Sequence, residues 1–382
     1  MAKRRPVPLK NRKAIRKPVL EKPIYFDFQF LFLVLFLVAL GLVMVYSTSS
    51  YTADLKTGKP YYYLLRQSIF GVAGIAAMLL CSRIDYHIWK RFSKIIIFGT
   101  IILLAIVLLI GKSTNGSTRW IQIGPLQFQP SELAKIAIIL FTAHFATIKA
   151  ARIGDFRILV NVAVLPMFAT ALIAVENLST AIICAAITFM ILFVTSPKIK
   201  QFALLGIGVV LIMGIFLLVA SYRMQRIKVW LHPEKYDDGY QTLQALYAIG
   251  SGGIFGKGLG QSIQKLGFIP ESHNDMIFSV VCEELGLFGA ACVIALFALL
   301  IWRCVIIAMS APDLYGALIV VGVITHLSVQ VLVNIAVVTN SIPPTGVPLP
   351  FISYGGTALF CLLVEMGLVL SVASRIRIPK EY

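Results

Sequence analysis

The sequence predicts an all-α, polytopic membrane protein of about ten transmembrane helices, and three observations predict it. Hydrophobic residues fill 58% of the 382 positions, charged residues only 13%, and mean hydropathy is +0.87, outside the range of ordinary soluble domains. Apolar runs long enough to cross roughly 30 Å of hydrocarbon recur along the chain. Lysines and arginines gather on alternate connections between those runs, which orients the bundle with both N- and C-termini cytoplasmic.

A basic tail, 1–26, precedes the first run and carries Lys3, Arg4, Arg5, Lys10, Arg12, Lys13, Arg16, Lys17 and Lys22. In a soluble protein the net charge of +17 would point to nucleic acid. Here it marks a segment lying against an anionic leaflet, and no nucleic-acid partner is expected. The first run is longer than the apolar part of a cleavable signal peptide and lacks a small-residue cleavage site. The six cysteines sit in or beside apolar runs without C-x-x-C spacing, as small packing residues do; no metal site is predicted.

The predicted spans fall near 28–47, 67–82, 94–111, 132–148, 157–175, 180–195, 202–220, 276–302, 314–338 and 354–374. They form one membrane domain, 27–376, followed by a short cytoplasmic tail, 377–382. The inner connections carry Arg83, Lys90, Arg91 and Lys94, then Lys149, Arg152 and Arg157, then Lys198 and Lys200, then Arg303, and finally Arg375, Arg377 and Lys380. Only Pro197 and a very short connection separate the sixth span from the seventh.

The chemistry is expected in three outer segments. In the first, alternation around Trp120 to Ile123 reads as a short hairpin. A helix then starts at Pro130, with Glu132 in its first turn, facing the positive end of the dipole, and Lys135 one turn on. Glu132 and Lys135 can therefore pair. A capped helix with a compensated charge is one reading. Within a membrane span, though, an ionisable pair is costly and usually faces a cavity or pathway, which favours a functional one. Ser131 and Lys135 are four apart rather than three, so a serine hydrolase of the S-x-x-K type is set aside.

The second segment is a large extracellular loop, 221–274, between the seventh and eighth spans. It opens with Arg223, Arg226 and Lys228 beside Trp230 and reaches a glycine run from Gly250 to Gly260 that includes Lys257. That run can wrap a phosphate with backbone N–H groups or serve as a flexible linker; it lacks the G-K-[ST] ending of a nucleotide loop. Glu271, His273 and Asp275 follow, immediately before an apolar helix. Asp275 is the residue on which catalysis is expected, since partial desolvation at the helix entry strengthens a carboxylate as a base. Its alternative is a helix N-cap. No second His or Cys lies at metal spacing from His273. Glu283 and Glu284, deeper in the same span, must face protein or water.

The third segment, 339–353, holds Pro343, Pro344, Pro348 and Pro350 and ends at Ser353. It cannot be a continuous helix. An extracellular or re-entrant loop is expected, walling a site near Glu132 and Asp275.

These motifs together resemble the SEDS family (shape, elongation, division, sporulation). The resemblance is carried by Tyr46-Ser-Thr-Ser-Ser, Ser117-Thr-Arg-Trp-Ile, Gln129-Pro-Ser-Glu-Leu-Ala-Lys, Gly258-Leu-Gly-Gln-Ser-Ile-Gln-Lys-Leu, Ile269-Pro-Glu-Ser-His-Asn-Asp-Met-Ile-Phe and Pro348-Leu-Pro-Phe-Ile-Ser-Tyr-Gly-Gly. It runs from about Phe28 to Arg377, and its details are closer to the FtsW-like division or sporulation members than to the elongation branch. It implies a peptidoglycan glycosyltransferase that polymerises lipid II at the outer face of the bacterial cytoplasmic membrane, at the division septum. It further implies a class B penicillin-binding protein as transpeptidase partner, with other divisome or sporulation proteins around it. The family's essential aspartate falls on Asp275 and its fourth-helix ion pair on Glu132 and Lys135. Two departures stand out: Asn274 replaces the usual Thr, and Glu176-Asn-Leu-Ser-Thr replaces Glu-Pro-Asp-Leu-Gly, which leaves Glu176 as the acidic candidate there.

Glycosyl transfer to a hydroxyl from a lipid diphosphate needs a base for the hydroxyl proton, while the diphosphate leaves as a stable anion. One carboxylate suffices, in contrast to the pair a glycosidase uses. Asp275 is the expected base. Arg119, Lys135, Arg223 or Lys257 is expected to support the diphosphate, with Trp120, Glu132, Glu271, His273 and Ser353 lining the substrate site. A divalent cation such as magnesium or manganese is the candidate cofactor. A lipid II flippase would also use broken helices and intramembrane charge, and a non-catalytic division scaffold would tolerate loss of Asp275. Charge gathered at the outer rim favours the polymerase over both.

Overall fold

The computed structural model describes residues 26–110, 112–114, 117–123, 126–202, 206 and 221–376. Among these, nine helices are long and apolar enough to cross a membrane: α1 (Phe28–Thr57), α2 (Tyr62–Arg83), α3 (Ile88–Ile110), α4 (Pro130–Lys149), α5 (Phe156–Glu176), α6 (Leu178–Thr195), α9 (Ile277–Ser310), α10 (Leu314–Val338) and α11 (Gly356–Ala373). The predicted seventh span lies outside the described residues except for Phe202 and Gly206, as do the basic tail up to residue 25 and the last six residues. Two shorter helices, α7 (Ser221–Leu231) and α8 (Tyr240–Gly252), give the large loop regular structure. The expected hairpin is a small antiparallel sheet, β1 (Lys112–Thr114), β2 (Ser117–Ile123) and β3 (Leu126–Phe128), in the order β1-β2-β3; it packs on α3, α4 and α5.

Helix starts follow local chemistry. The Asp27 carboxylate accepts from the Phe30 N–H at 3.0 Å, and Asp155, Asn177 and Asp313 cap α5, α6 and α10 in the same way, each satisfying a donor that the first turn leaves open. Pro130 opens α4 with Glu132 in the first turn. The two ends of the bundle are told apart by their contacts. At one end Arg303 bonds Asp27 at 2.8 Å, His87 bridges Asp85 and Asp313 at 2.7 and 2.5 Å, and Arg375 lies 3.4 Å from Asp85. Residues 27 and 375 therefore share that end. At the other end the Trp230 indole N–H donates to the Asn340 carbonyl at 2.9 Å, and the Tyr354 N–H donates to the His273 carbonyl at 2.8 Å. The large loop and the 340–355 segment meet there.

Helix α9 is not continuous. Gly286 has φ 69° and ψ −170°, which breaks the ladder between residues 283–284 and 287–288. Four groups beside the break are taken up by the glycine run: the Lys257 and Gly258 N–H groups donate to the Glu283 and Glu284 carbonyls at 3.0 and 2.9 Å, and the Leu287 and Phe288 N–H groups donate to the Gly253 and Ile254 carbonyls at 2.9 and 3.0 Å. This exchange gives the Glu283 and Glu284 carbonyls and the Leu287 and Phe288 N–H groups new partners, as irregular backbone inside an apolar span requires. It requires glycine on both sides, since a Cβ on Gly256 would lie 2.2 Å from the Glu284 carbonyl oxygen and one on Gly286 2.3 Å from the Gly256 nitrogen.

Candidate active site

Asp275 stands one residue before the Met276 cap of α9, and no side chain caps that helix start. The N-cap alternative is therefore not what the fold uses it for. The half-buried carboxyl has its pKa pushed up to about 6; burial is the main cause and the nearby Glu271 charge adds to it, against hydrogen bonds from its own and the Met276 N–H groups. A carboxylate held this way is ionised at neutral pH and more basic than one in water. Its Oδ2 faces the turn at Gly346, where a Cβ would come within 3.6 Å.

The 340–355 segment forms the facing wall, and it is held by side-chain amides rather than by regular structure. Gln67 of α2 donates to the Ser353 carbonyl at 3.2 Å and accepts from the Gly355 N–H at 3.1 Å. Gln330 of α10 donates to the Pro348 carbonyl at 2.9 Å, and Asn334 to the Val347 carbonyl at 2.8 Å. The Ser353 hydroxyl accepts from the Leu349 N–H at 2.8 Å and closes the last turn. Helix α1 crosses this wall at Gly41, where a Cβ would sit 2.2 Å from the Phe351 carbonyl oxygen. Among the described residues three non-glycine residues adopt left-handed backbone, and all lie in the two segments that meet here: Glu271 (φ 48°), Asn340 (φ 54°) and Phe351 (φ 62°). Such conformations persist where the surroundings over-determine them, as functional sites do.

His273 is buried between Tyr63 and Tyr354, ring centroids 4.5 and 5.6 Å away. Burial lowers its pKa to about 4, so it is neutral at pH 7, and its Nδ1 has no hydrogen-bond partner in the fold. An aromatic wall with one unpaired polar atom suits a sugar face. Glu271 is exposed and accepts from the Asn274 amide at 2.8 Å. Arg226 of α7 reaches the Pro344 carbonyl at 3.4 Å, and Arg66 lies 5.2 Å over the Tyr62 ring.

Glu132 and Lys135 adjoin this cluster below the wall. They pair at 2.8 Å, with 9% and 2% of their side chains exposed, and the Lys135 ammonium also donates to Gln330 Oε1 at 3.2 Å. With His326, Gln330 and Ser353 they line a cavity of about 20 Å³, room for a water molecule or so. The polar chain continues inward through His326, 2.7 Å from both Gln330 and Glu365.

Not every expected residue joins the cluster. Lys257 does not face the Asp275 turn: its ammonium is committed to Glu283 at 2.7 Å and to Ser251 at 3.0 Å. Glu283 also accepts from Ser262 and the Ile263 and Gln264 N–H groups, while Glu284 is held by Lys265 and Ser47 at 2.7 Å each. In this structure the glycine run closes the break in α9 with its amides and its lysine. Trp120 sits half-buried in β2, opposite Lys112. The side chains of Arg119 and Arg223 lie outside the described residues. Missing from the sequence reading were Gln67, His326, Gln330, Asn334 and Glu365. Their signal was spacing: His326, Gln330 and Asn334 recur every fourth residue in an otherwise apolar span and so share one face.

Comparison with known proteins agrees with this architecture. Residues 28–378 match the FtsW/RodA/SpoVE family of cell cycle proteins. Stage V sporulation protein E of Bacillus subtilis is 39% identical over 354 residues, which cover 91% of this chain and 96% of that protein. The probable peptidoglycan glycosyltransferase FtsW of Geobacter sp. strain M18 is 36% identical over 360 residues, 92% of this chain and 98% of its own length. Among solved structures, a peptidoglycan synthase complex that coordinates polymerization and crosslinking contains a chain superposing with TM-score 0.77 at 28% identity, covering 93% of this chain and 99% of that one. The rod shape determining protein RodA of Thermus thermophilus superposes with TM-score 0.69 at 28% identity, covering 93% and 99%.

Proposed function

The chain belongs to the FtsW/RodA/SpoVE family, the SEDS proteins its motifs pointed to, and from that premise we propose that it is a peptidoglycan glycosyltransferase working on lipid II at the outer face of the cytoplasmic membrane. The observation that carries the reading is a single basic carboxylate, Asp275, at the entry of a membrane helix and facing an irregular wall braced by amides.

The reaction balances with that one group. The 4-hydroxyl oxygen of the acceptor GlcNAc forms a bond to the anomeric carbon of the lipid-linked sugar, Asp275 takes the hydroxyl proton, and the bond to the undecaprenyl diphosphate breaks with inversion. The diphosphate departs as an anion and needs no acid. Tyr63, His273 and Tyr354 form the aromatic wall for a sugar ring, with Glu271 and Ser353 at its edges. Arg119, Arg223 and the Glu132–Lys135 pair are the proposed electrostatic support for the leaving group, joined by Arg226 and Arg66, which the fold sets beside the wall. Trp120 is proposed to flank the donor on the sheet side.

A magnesium or manganese ion is proposed as a counterion of the diphosphate. Among the described residues no three His, Cys, Asp or Glu side chains converge, so these residues do not fit a resident metal site, and no step is assigned to one. The partner is a class B penicillin-binding protein that cross-links the strands, and the place of action is the division septum or its sporulation counterpart, alongside other divisome or sporulation proteins.

The test is polymer formation from labelled lipid II by the purified chain, with and without a class B partner. Muramidase-sensitive polymer is the expected product. Absence of polymer under every partner and metal condition, while lipid II still crosses vesicle membranes, would replace this reading with a flippase.

A further inference from the structure

The side-chain amide of Asn334 bridges the two segments that make the site. Its Nδ2 donates one hydrogen to the Asp275 carbonyl and the other to the Val347 carbonyl, both at 2.8 Å. Asn334 is 1% exposed, so its amide is shielded from water, and an NH2 group has two hydrogens to give. With two carbonyls on one side, the amide orientation is unambiguous, because its oxygen cannot take the place of the nitrogen. One turn earlier on the same face, Gln330 holds the next residue of the wall, Pro348, and accepts from Lys135. A single face of α10 thus sets the backbone of Asp275, the loop in front of it and the ammonium beneath that loop.

We propose that Asn334 is a positioning residue for Asp275, fixing the backbone of the turn that carries the base against the re-entrant loop. The proposal rests on the reading of Asp275 as the base. Without the bridge, the Asp275 carbonyl and the Val347 carbonyl lose a shared donor, and of the backbone ties between the two segments the Tyr354–His273 bond is left to hold them together. Misplacement of a reacting group by about 1 Å can cost on the order of 100-fold in rate. Loosening the turn also lets water reach the carboxyl. Glu271 and His273 belong to its own segment, Tyr63 of α2 and Tyr354 pack on His273, and Arg226 of α7 reaches the Pro344 carbonyl, while residues 340–353 contain no titratable side chain. Burial raises the pKa of the Asp275 carboxyl to about 6.

The experiment measures polymerisation of labelled lipid II by the full chain with its class B partner, for wild type, Asn334→Ala and Asn334→Gln, as a function of pH. Both variants are expected to lose roughly 10-fold or more in kcat, with KM for lipid II within about twofold. In Asn334→Ala the acid limb should also move below its wild-type midpoint. Carbodiimide labelling of Asp275, read by mass spectrometry across the same pH range on the folded fraction, follows the carboxyl without requiring activity. Wild-type kcat together with an unmoved Asp275 titration overturns the proposal. So does a loss of kcat that tracks loss of folded protein while Asp275 titrates as in wild type, since that is a structural role only. Where Asn334→Ala is not recovered folded, Asn334→Gln, which keeps the amide but moves it by one methylene, carries the same test. Asp275→Asn is assayed alongside: full activity there removes the base itself, an outcome separate from any result at Asn334.

Discussion

Tyr354 donates its backbone N–H to the carbonyl of His273 at 2.8 Å, and with that bond the end of the 340–355 wall is joined to the segment carrying Asp275. His273 and Asp275 lie two residues apart on opposite sides of one turn, one against the aromatic pair Tyr63 and Tyr354, the other against Gly346. A wall and a base are therefore set by the same short stretch of backbone.

The pH dependence of polymerisation should report Asp275. The base must be ionised to accept a proton, and its pKa is raised to about 6 by burial. Activity should therefore rise with pH through about 6 and level off above it. His273, lowered to about 4, is neutral throughout that window. A rate of polymerisation by the purified complex that stays flat across this interval would contradict the assignment.

The same shift has a consequence for stability. A carboxyl whose folded pKa exceeds its ordinary value of 3.8 binds its proton more tightly when folded, so stability falls as pH rises from about 3.8 through about 6 and is constant beyond. Asp275→Asn does not share that loss. Thermal unfolding in detergent should show the variant melting several degrees above wild type at pH 7 and close to it under acid conditions; equal melting at both would mean the carboxyl is better solvated than the fold indicates.

The buried Glu132–Lys135 pair should behave as a unit. Removing one partner, by Glu132→Gln or Lys135→Met, leaves an uncompensated charge among apolar helices and should cost roughly 3–5 kcal/mol. The double replacement should recover a substantial part of that loss. A double-mutant cycle of unfolding free energies, with a coupling near zero, would show that the 2.8 Å contact does not hold the helix.

At the break in α9, Gly256→Ala meets both a φ of +79° and a carbonyl oxygen 2.2 Å away. It should destabilise the docked glycine run by more than about 1 kcal/mol and open it to proteases. Limited proteolysis that leaves the 253–265 stretch as resistant as in wild type would argue against the exchange of backbone bonds.

The membrane helices were legible because each apolar run is about the length a bilayer demands, and their starts were legible where Pro130 or an Asp or Asn caps them. Boundaries drifted where polar residues continue a helix. Helix α1 runs on to Thr57, since Ser47, Thr48 and Ser49 are buried against the protein rather than exposed at a helix end. The break in α9 was not legible: apart from Glu283 and Glu284 the run from 276 to 302 reads as one continuous span, and long-range bonds from the 253–258 backbone make a break at Gly286 tolerable. The same distance hid the partner of Lys257, which is 26 residues away at Glu283. The place of Asp275 at the entry of α9 was legible from its position before the apolar run. The face of α10 was written in the spacing of His326, Gln330 and Asn334, but which backbone groups those side chains hold depends on how the 340–355 segment folds back.

The most direct test of the account is polymerisation of labelled lipid II by Asp275→Asn in complex with its class B partner, with lipid II binding measured on the same preparation. The account predicts that binding and partner association persist while polymer falls by at least about 100-fold, the contribution of a positioned general base. Polymer at the wild-type rate from a folded, partner-bound Asp275→Asn protein would contradict it.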